Sequence, residues 1–252
     1  MSPQVNPYVS VDCVILGFDG EQLNTLIVRQ CNTGGEDSTG NYKLPGSLIY
    51  MDENLDDAAK RVLRQLTGLT QVSMIQFRAF GGPERLNNPS DSIWLERFHN
   101  LDHHIERIVT IAYISLVRID RRMRKLEEGF EAQWIPVDKL PKLAFDHKII
   151  VQEATMSVKN SVTLNPTLLF ELLPKKFTAA QLRTVMETVL HKTFDIKNFH
   201  KKLAQMPYVV PLEEKEDGVS HRAARYYKFY KKKRMKQAVW YDIPFSKKQT
   251  QQ

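Results

Sequence analysis

Residues 43–69 read KLPGSLIYMDENLDDAAKRVLRQLTGL, and this stretch decides the fold. Its second half is expected to form a helix that begins near Asp56 and Asp57, where the helix dipole favours acidic residues. Both carboxylates are therefore interpreted as charges that stabilise the start of the helix, in preference to a role as metal ligands.

The stretch resembles the Nudix box, the motif of a family of Mg²⁺-dependent hydrolases. Glu53 stands at the motif's first glutamate, Arg61 at its arginine, Leu63 at its hydrophobic position and Gly68 at its last glycine. Ser47 replaces the first glycine, but the spacing holds throughout. The resemblance implies an α/β/α sandwich with a mixed sheet.

The three carboxylate positions of the motif's helix are occupied by Val62, Gln65 and Leu66. Their spacing of i, i+3 and i+4 places all three on one helix face. In the hydrolases that this chain resembles, that face gathers carboxylates around Mg²⁺, a cation that takes oxygen ligands. Valine and leucine cannot ligate it, and a neutral amide is a poor substitute. We therefore expect no enzyme activity, no catalytic residue, no metal and no cofactor, and we expect Glu53 and Arg61 to hold the loop to the helix.

Apolar runs on either side of this stretch predict a mixed α+β domain. Two of them flank the turn signal Asp19-Gly20, which favours a β-hairpin. Strands are predicted at 9–18, 23–30, 72–80, 108–117 and 132–137, with a long loop at 81–100 and a helix from residue 146 onward.

A second module follows, because Thr178 and Gln181 have the spacing of a capping box at the start of a helix. Asp195 can cap a second helix after a short turn. The residues expected on its inward face are Ile196, Phe199, Leu203 and Met206. Two strands and an acidic turn come next, so the order predicts a winged helix-turn-helix domain with the second helix in the major groove. The DNA-binding candidates are Lys197, Asn198, His200, Lys201 and Lys202 on that helix, with His221, Arg222 and Arg225 on the wing.

The charge distribution supports a nucleic-acid partner for the second module. The chain carries a net charge of +7, and the segment from Lys175 to Gln252 holds 18 Lys and Arg against 7 Asp and Glu. The preceding residues are mildly acidic, so the two parts of the chain are expected to meet different partners. A basic, solvated face without a partner is the alternative reading of the charge.

These boundaries divide the chain into four predicted parts. Residues 1–162 form the Nudix-like effector-binding domain, 163–176 a linker, 177–236 the winged helix and 237–252 an extension. This arrangement resembles the Nudix-related transcriptional regulators, of which some respond to ADP-ribose and others to sugars such as arabinose. The resemblance implies a homodimer on a palindromic operator of double-stranded DNA.

We favour the sugar-responsive branch, in which the protein represses carbohydrate utilisation genes and senses a monosaccharide such as L-arabinose. A neutral sugar needs few charged partners, whereas ADP-ribose needs cations or a metal for its diphosphate. The candidate effector-binding residues are Lys43, Glu53, Arg61, Arg107, Asp146 and His147. Three alternatives remain open: a regulator that responds to ADP-ribose, a residual Nudix hydrolase, and an RNA-binding or assembly protein.

The remaining composition bounds the location. No apolar run approaches the roughly 20 residues of a membrane helix, and the first residues lack the features of a signal peptide, so we expect a cytoplasmic protein without a membrane partner. Cys13 and Cys31 lie in or beside apolar runs. Two buried free thiols are therefore expected in preference to a disulfide.

Overall fold

The computed structural model describes residues 4–30, 42–70, 72–99, 104–119, 130–218 and 223–230. Its strands are β1 (Val5–Phe18), β2 (Leu23–Gln30), β3 (Tyr42–Lys43), β4 (Gly46–Tyr50), β5 (Ile75–Phe80), β6 (Val109–Arg118), β7 (Phe130–Pro136), β8 (Phe177–Thr178), β9 (Val209–Lys215) and β10 (Arg225–Phe229). Its helices are α1 (Leu55–Thr67), α2 (Pro89–His99), α3 (His147–Leu164), α4 (Ala179–Leu190) and α5 (Ile196–Ala204), with 3-10 helices at Pro83–Leu86 and Pro166–Leu172. None of these helices is long and apolar enough to cross a membrane.

Strand β1 organises the larger sheet. It pairs in parallel with β6 along one edge and antiparallel with β4 and then β2 along the other, and β5, β7 and β3 extend the sheet. Along β1 the side chains alternate between the two faces of the sheet. Val11 and Cys13 pack against α1 on one face, whereas Val14 and Leu16 belong to the core that contains α3. The expected mixed-sheet sandwich is therefore confirmed, with α1 and α3 as its outer layers.

Local chain signals account for helix α1. The Asn54 side chain accepts a hydrogen bond from the Asp57 amide at 3.0 Å, and Asp56 and Asp57 occupy the first turn. Gly68 ends the helix with φ 69°, a left-handed conformation that favours glycine. The predicted start of the helix is thus confirmed.

The predicted loop at 81–100 was wrong, because it contains the 3-10 helix Pro83–Leu86 and α2. Helix α2 begins at Pro89, and the carbonyl of the preceding Asn88 accepts a hydrogen bond from the Asp91 amide at 2.9 Å. The glycine, proline and asparagine residues that suggested a loop are concentrated before the helix or at its first position, where proline is tolerated. The buried residues Ser92 and Leu95 then face the protein interior.

The second module has the predicted order of elements. Thr178 and Gln181 form the capping box, and Asp195 caps α5 by accepting from the Asn198 amide at 2.9 Å. Strands β9 and β10 pair antiparallel as the wing, and β8 adds a third strand. Leu168, Leu169 and Leu172 of the predicted linker are buried in the core shared by α3 and α4.

One inward position was wrong. Phe199, Leu203 and Met206 are buried, whereas Ile196 is 57% exposed. Ile196 is the first residue of α5 and extends beyond the core that covers the next two turns. Cys13 is a free, buried thiol as expected, and Cys31 and the predicted extension 237–252 lie outside the described residues.

Candidate functional site

The loop that precedes α1 is held to the helix by Glu53 and Arg61. Arg61 Nε donates to Glu53 Oε2 at 2.9 Å, and Arg61 Nη2 donates to Glu53 Oε1 and to the Leu48 carbonyl, the latter at 3.0 Å. The Tyr50 amide also donates to Glu53 Oε1 at 2.8 Å. Burial alone would raise the pKa of Glu53, but the hydrogen bonds from Arg61 and Tyr50 hold it below its ordinary value. Both carboxylate oxygens therefore serve the clasp between loop and helix.

The helix face that would carry metal ligands is built into the core. Val62 is 0% exposed and Leu66 is 5% exposed, and both pack in the cluster that contains Cys13. Gln65 accepts a hydrogen bond from Arg61 Nη1 at 3.2 Å. The described residues contain no group of three or more His, Cys, Asp or Glu arranged to hold a metal ion. These residues do not fit the Mg²⁺ site that the Nudix box implies.

A buried charged network lies on the opposite face of the sheet from α1. Asp12 Oδ2 is 3.6 Å from Arg85 Nη2, and Arg85 Nη1 is 2.7 Å from Asp146 Oδ1. His147 Nε2 lies 3.4 Å from Asp12 Oδ1, while its Nδ1 accepts from the Leu44 amide at 3.0 Å. The network therefore joins β1, the 3-10 helix Pro83–Leu86 and the start of α3.

Burial and neighbouring charge act in opposite directions on the two carboxyl groups of this network. Burial alone would raise the pKa of Asp12, but His147 and Arg85 outweigh it and hold that pKa well below its ordinary value. Burial raises the pKa of Asp146, although Arg85 opposes the change. The neighbouring charges therefore favour the ionised form of Asp12, which contacts both His147 and Arg85.

A small cavity adjoins this network. It is lined by Ser10, Asp12, Lys43, Gly46, Ser47, Arg85, Leu95, His99, Ile108, Phe145 and His147. Its volume is about 20 Å³. This is room for roughly one water molecule. Lys43 is buried there and donates to the Gly46 carbonyl at 3.1 Å, and burial lowers the pKa of Lys43 to about 7 against the attraction of Asp12. A Cβ at Gly46 would lie 1.8 Å from Asp12 Oδ1, so this strand position excludes a side chain.

The predicted effector residues separate into three groups. Lys43, Asp146 and His147 come together at the buried network and its cavity. Glu53 and Arg61 form the clasp described above. Their positions are compatible with the structural role that the sequence suggested for them. Arg107 lies elsewhere and donates from Nη2 to the Gly81 carbonyl at 3.0 Å.

Asp12 and Arg85 were missed by the sequence reasoning. Asp12 interrupts the apolar run VSVDCVILGF, and a charged residue inside a fully buried strand was a signal that it needs a partner. Arg85 carried no comparable signal, because its segment was interpreted as a long, polar loop. Only the fold brings the two residues together.

A larger cavity lies beside α1. Its volume is about 290 Å³, and it is lined by Asp57, Lys60, Arg61, Leu63, Arg64, Leu69, Thr70, Val72 and Met74. Its wall combines apolar side chains with the cationic residues of α1. The Lys60 and Arg64 side chains are exposed at this surface.

Most predicted nucleic-acid contacts lie on the exposed surface of the second module. Lys197, Asn198, His200 and Lys201 are exposed on α5, and Arg225 is exposed on β10. Lys202 is also exposed, but its Nζ lies 5.3 Å from the centre of the Phe194 ring and so leans toward the flank of the helix. His221 and Arg222 lie outside the described residues. Which of these residues contact DNA stays a prediction.

Two known families match the chain, one over the first module and one over the second. The NUDIX domain family matches residues 6–154, and the NrtR DNA-binding winged helix domain matches residues 169–229. The second match corrects the expectation of the arabinose-responsive branch, because the winged helix is of the NrtR type.

Individual proteins match different lengths of the chain. The chain is 24% identical over 228 residues to the ADPR responsive transcriptional repressor NtrR of Acinetobacter baylyi, covering 89% of this chain and 82% of that protein. It is 26% identical over 149 residues to an ADP-ribose pyrophosphatase of Methanocaldococcus jannaschii, covering 59% of this chain and 73% of that protein. The crystal structure of Shewanella oneidensis NrtR with a 27mer DNA has the same fold, with a TM-score of 0.64, 22% identity and coverage of 88% of this chain and 93% of that one.

Proposed function

This chain belongs to the NUDIX domain family, and on that premise we propose that it is a sequence-specific transcriptional repressor whose Nudix domain binds ADP-ribose as its effector. One observation carries the proposal: the chain joins a Nudix domain to a winged helix. The Nudix domain has Val62, Gln65 and Leu66 where the motif has carboxylates, and the winged helix exposes a basic helix. The first feature favours binding over hydrolysis, and the second provides a surface for DNA.

The DNA contact is proposed at the exposed face of α5. Helix-turn-helix proteins place their second helix in the major groove, with its N-terminal residues at the base edges. Lys197 and Lys201 are one turn apart on that face, where they can reach phosphates or guanine edges. Arg225 of the wing strand would bind the DNA backbone beside the groove.

ADP-ribose replaces the monosaccharide that the sequence favoured. The Acinetobacter relative is named as responsive to ADPR and the Methanocaldococcus relative as an ADP-ribose pyrophosphatase. The sugar was favoured because loss of the helix carboxylates removes the metal route to a diphosphate, which leaves only cationic side chains as partners. The buried side chains of Lys43 and Arg85, the second of which also pairs with Asp12 and Asp146, would contact the diphosphate without a metal.

We place the effector at the cavity beside the Asp12 network. Lys43 and His147 line this cavity, and Asp146 is joined to it through Arg85. Its present volume admits about one water molecule, so binding of ADP-ribose would require the surrounding elements to move apart. Arg85 of the 3-10 helix Pro83–Leu86 and Leu95 and His99 of α2 form part of its wall. His147 is the first residue of α3, and α3 packs in the same core as α4. Movement at the cavity would thereby reach the DNA-binding module.

A residual hydrolase is the second candidate, favoured by the similarity to the pyrophosphatase. Titration calorimetry with ADP-ribose in the presence of Mg²⁺, followed by analysis of the nucleotide, separates the two. The proposal expects saturable binding with recovery of intact ADP-ribose, and no binding of L-arabinose. Release of AMP and ribose 5-phosphate would favour the hydrolase, and binding of L-arabinose alone would restore the sugar-sensor reading.

A further inference from the structure

The exposed face of α5 has an apolar residue at its start. Residues 197, 200, 201 and 204 are spaced so that they share one helix face, and all four are exposed. They are lysine, histidine or alanine. Ile196 precedes them at the edge of this face, on the side of Phe199 and Leu203, and its branched aliphatic side chain is 57% exposed.

Contacts of the next two turns set the orientation of α5. Phe199 and Leu203 are 2% and 3% exposed and pack in the core, so Lys197 and Lys201 on the opposite face are directed to solvent, whereas Ile196 extends beyond the end of this core. Lys202 leans toward the Phe194 ring at one flank. The Asp195 cap, with its 2.9 Å bond from the Asn198 amide, holds the first turn and therefore the direction in which Ile196 extends.

The major groove contains one apolar group at the base edges. This group is the C5-methyl of thymine, and aliphatic side chains recognise it by contact. An isoleucine at the first position of the second helix lies where helix-turn-helix proteins read bases. Its neighbours Lys197 and Lys201 supply positive charge for the surrounding phosphates, so entry of this face into the groove would bury Ile196 against a base.

We infer that Ile196 determines sequence specificity by packing on the C5-methyl group of a thymine in the operator. The inference rests on the proposed function, because it assumes that α5 enters the major groove. Ile196 would recognise the sequence by apolar contact, whereas Lys197, His200 and Lys201 beside it offer charged or polar contacts.

The test uses the full chain and removes a single methyl group from the DNA. Binding sites are selected from duplexes with a random central sequence, and each thymine of the selected duplex is then replaced in turn by deoxyuridine. Base pairing is unchanged, so only the methyl group is lost. Dissociation constants are measured at fixed salt by fluorescence anisotropy for the wild type, Ile196→Ala and Ile196→Val.

At one thymine in each half-site, deoxyuridine should raise the wild-type Kd by about three- to tenfold, the effect of losing one methyl contact. Ile196→Ala should raise the Kd for the thymine duplex by a similar factor and for that deoxyuridine duplex by less than about twofold. Ile196→Val keeps most of the contact and should retain the response to the methyl group. Because Ile196 is exposed, the variants should keep the wild-type Tm.

Lys197→Ala is the matched control, since a lost phosphate or guanine contact weakens both duplexes by the same factor. The inference is overturned if a site is selected but no thymine shows an increase in Kd on replacement by deoxyuridine that is present in the wild type and absent in Ile196→Ala. A selection that enriches no sequence instead overturns the proposed sequence-specific function, and the inference with it.

Discussion

Arg61 Nε lies 2.9 Å from Glu53 Oε2, which joins two residues of the Nudix box across the turn that begins α1. The Arg61 guanidinium also lies over the Tyr50 ring, 3.8 Å from its centre. Glu53, the one glutamate of the motif that this chain keeps, thus holds the loop to the helix. A Nudix domain can keep this clasp after its metal ligands are gone, because the clasp stabilises the fold on which any pocket depends.

Glu53→Gln should lower the free energy of unfolding by about 1.5–3 kcal/mol, the usual contribution of hydrogen bonds to a charged group. Because the folded pKa of Glu53 lies below its ordinary value of 4.5, the stabilisation is present above pH 4.5 and is lost as the pH falls through the folded pKa. Urea unfolding at several pH values measures the difference between the two proteins.

Glu131→Gln is the matched control, since Glu131 pairs with Arg29 at 2.9 Å but is 61% exposed. Its effect should be at most about 1 kcal/mol. Equal effects of the two substitutions would contradict the clasp.

Restoring an acidic residue in the helix should destabilise the protein. In Val62→Glu a carboxyl group would enter a site that is 0% exposed, and we expect a loss of about 3–5 kcal/mol, typical of an unpaired buried charge. The triple variant Val62→Glu with Gln65→Glu and Leu66→Glu should lose at least as much. Chemical unfolding with and without Mg²⁺ provides the measurement.

Arg64→Gln controls for substitution on the same helix and should change stability by at most about 0.5 kcal/mol, because Arg64 is exposed. Recovery of the triple variant's stability on adding Mg²⁺ would show that this face can still gather a metal ion.

Lys43→Met should change how stability depends on pH. Burial lowers the pKa of Lys43 to about 7 from 10.5, so between these values the unfolded chain binds more protons than the folded protein. The contribution of Lys43 to the free energy of unfolding therefore rises with pH across this range. Wild type should gain stability relative to Lys43→Met between pH 7 and pH 10.5. A constant difference between the two proteins over that range would contradict the buried, easily deprotonated lysine.

Lys201→Ala should weaken DNA binding across sequences and reduce its salt dependence by about one counterion. Anisotropy titrations over a range of salt concentrations yield the slope. Lys148→Ala, an exposed lysine of the first module, is the control and should leave both the affinity and the slope unchanged. Equal slopes for Lys201→Ala and the wild type would remove Lys201 from the phosphate contacts.

The features that the sequence predicted well depend on residues close together in the chain. The capping box needs only Thr178 and Gln181, and the β1–β2 hairpin needs apolar runs beside Asp19-Gly20. Each signal is complete within a few residues. Local patterns of this kind also located the wing.

The features that the sequence missed depend on contacts made only by the fold. Asp12 meets Arg85 and His147 from distant segments, and no short pattern contains all three. The outward position of Ile196 depends on where the core ends, although its spacing from Phe199 predicted burial. The sequence favoured a monosaccharide for another reason: the metal route to a diphosphate is lost, and no short pattern shows that buried cationic side chains meet beside Asp12.

The central claim is tested most directly by the release of DNA. The full chain is bound to a labelled duplex selected for sequence-specific binding, and anisotropy is followed at fixed salt while ADP-ribose, AMP, ribose 5-phosphate or L-arabinose is added. We expect ADP-ribose alone to release the DNA, with the added ADP-ribose recovered intact. Release by L-arabinose, or sequence-specific binding that ADP-ribose leaves unchanged, would contradict the account.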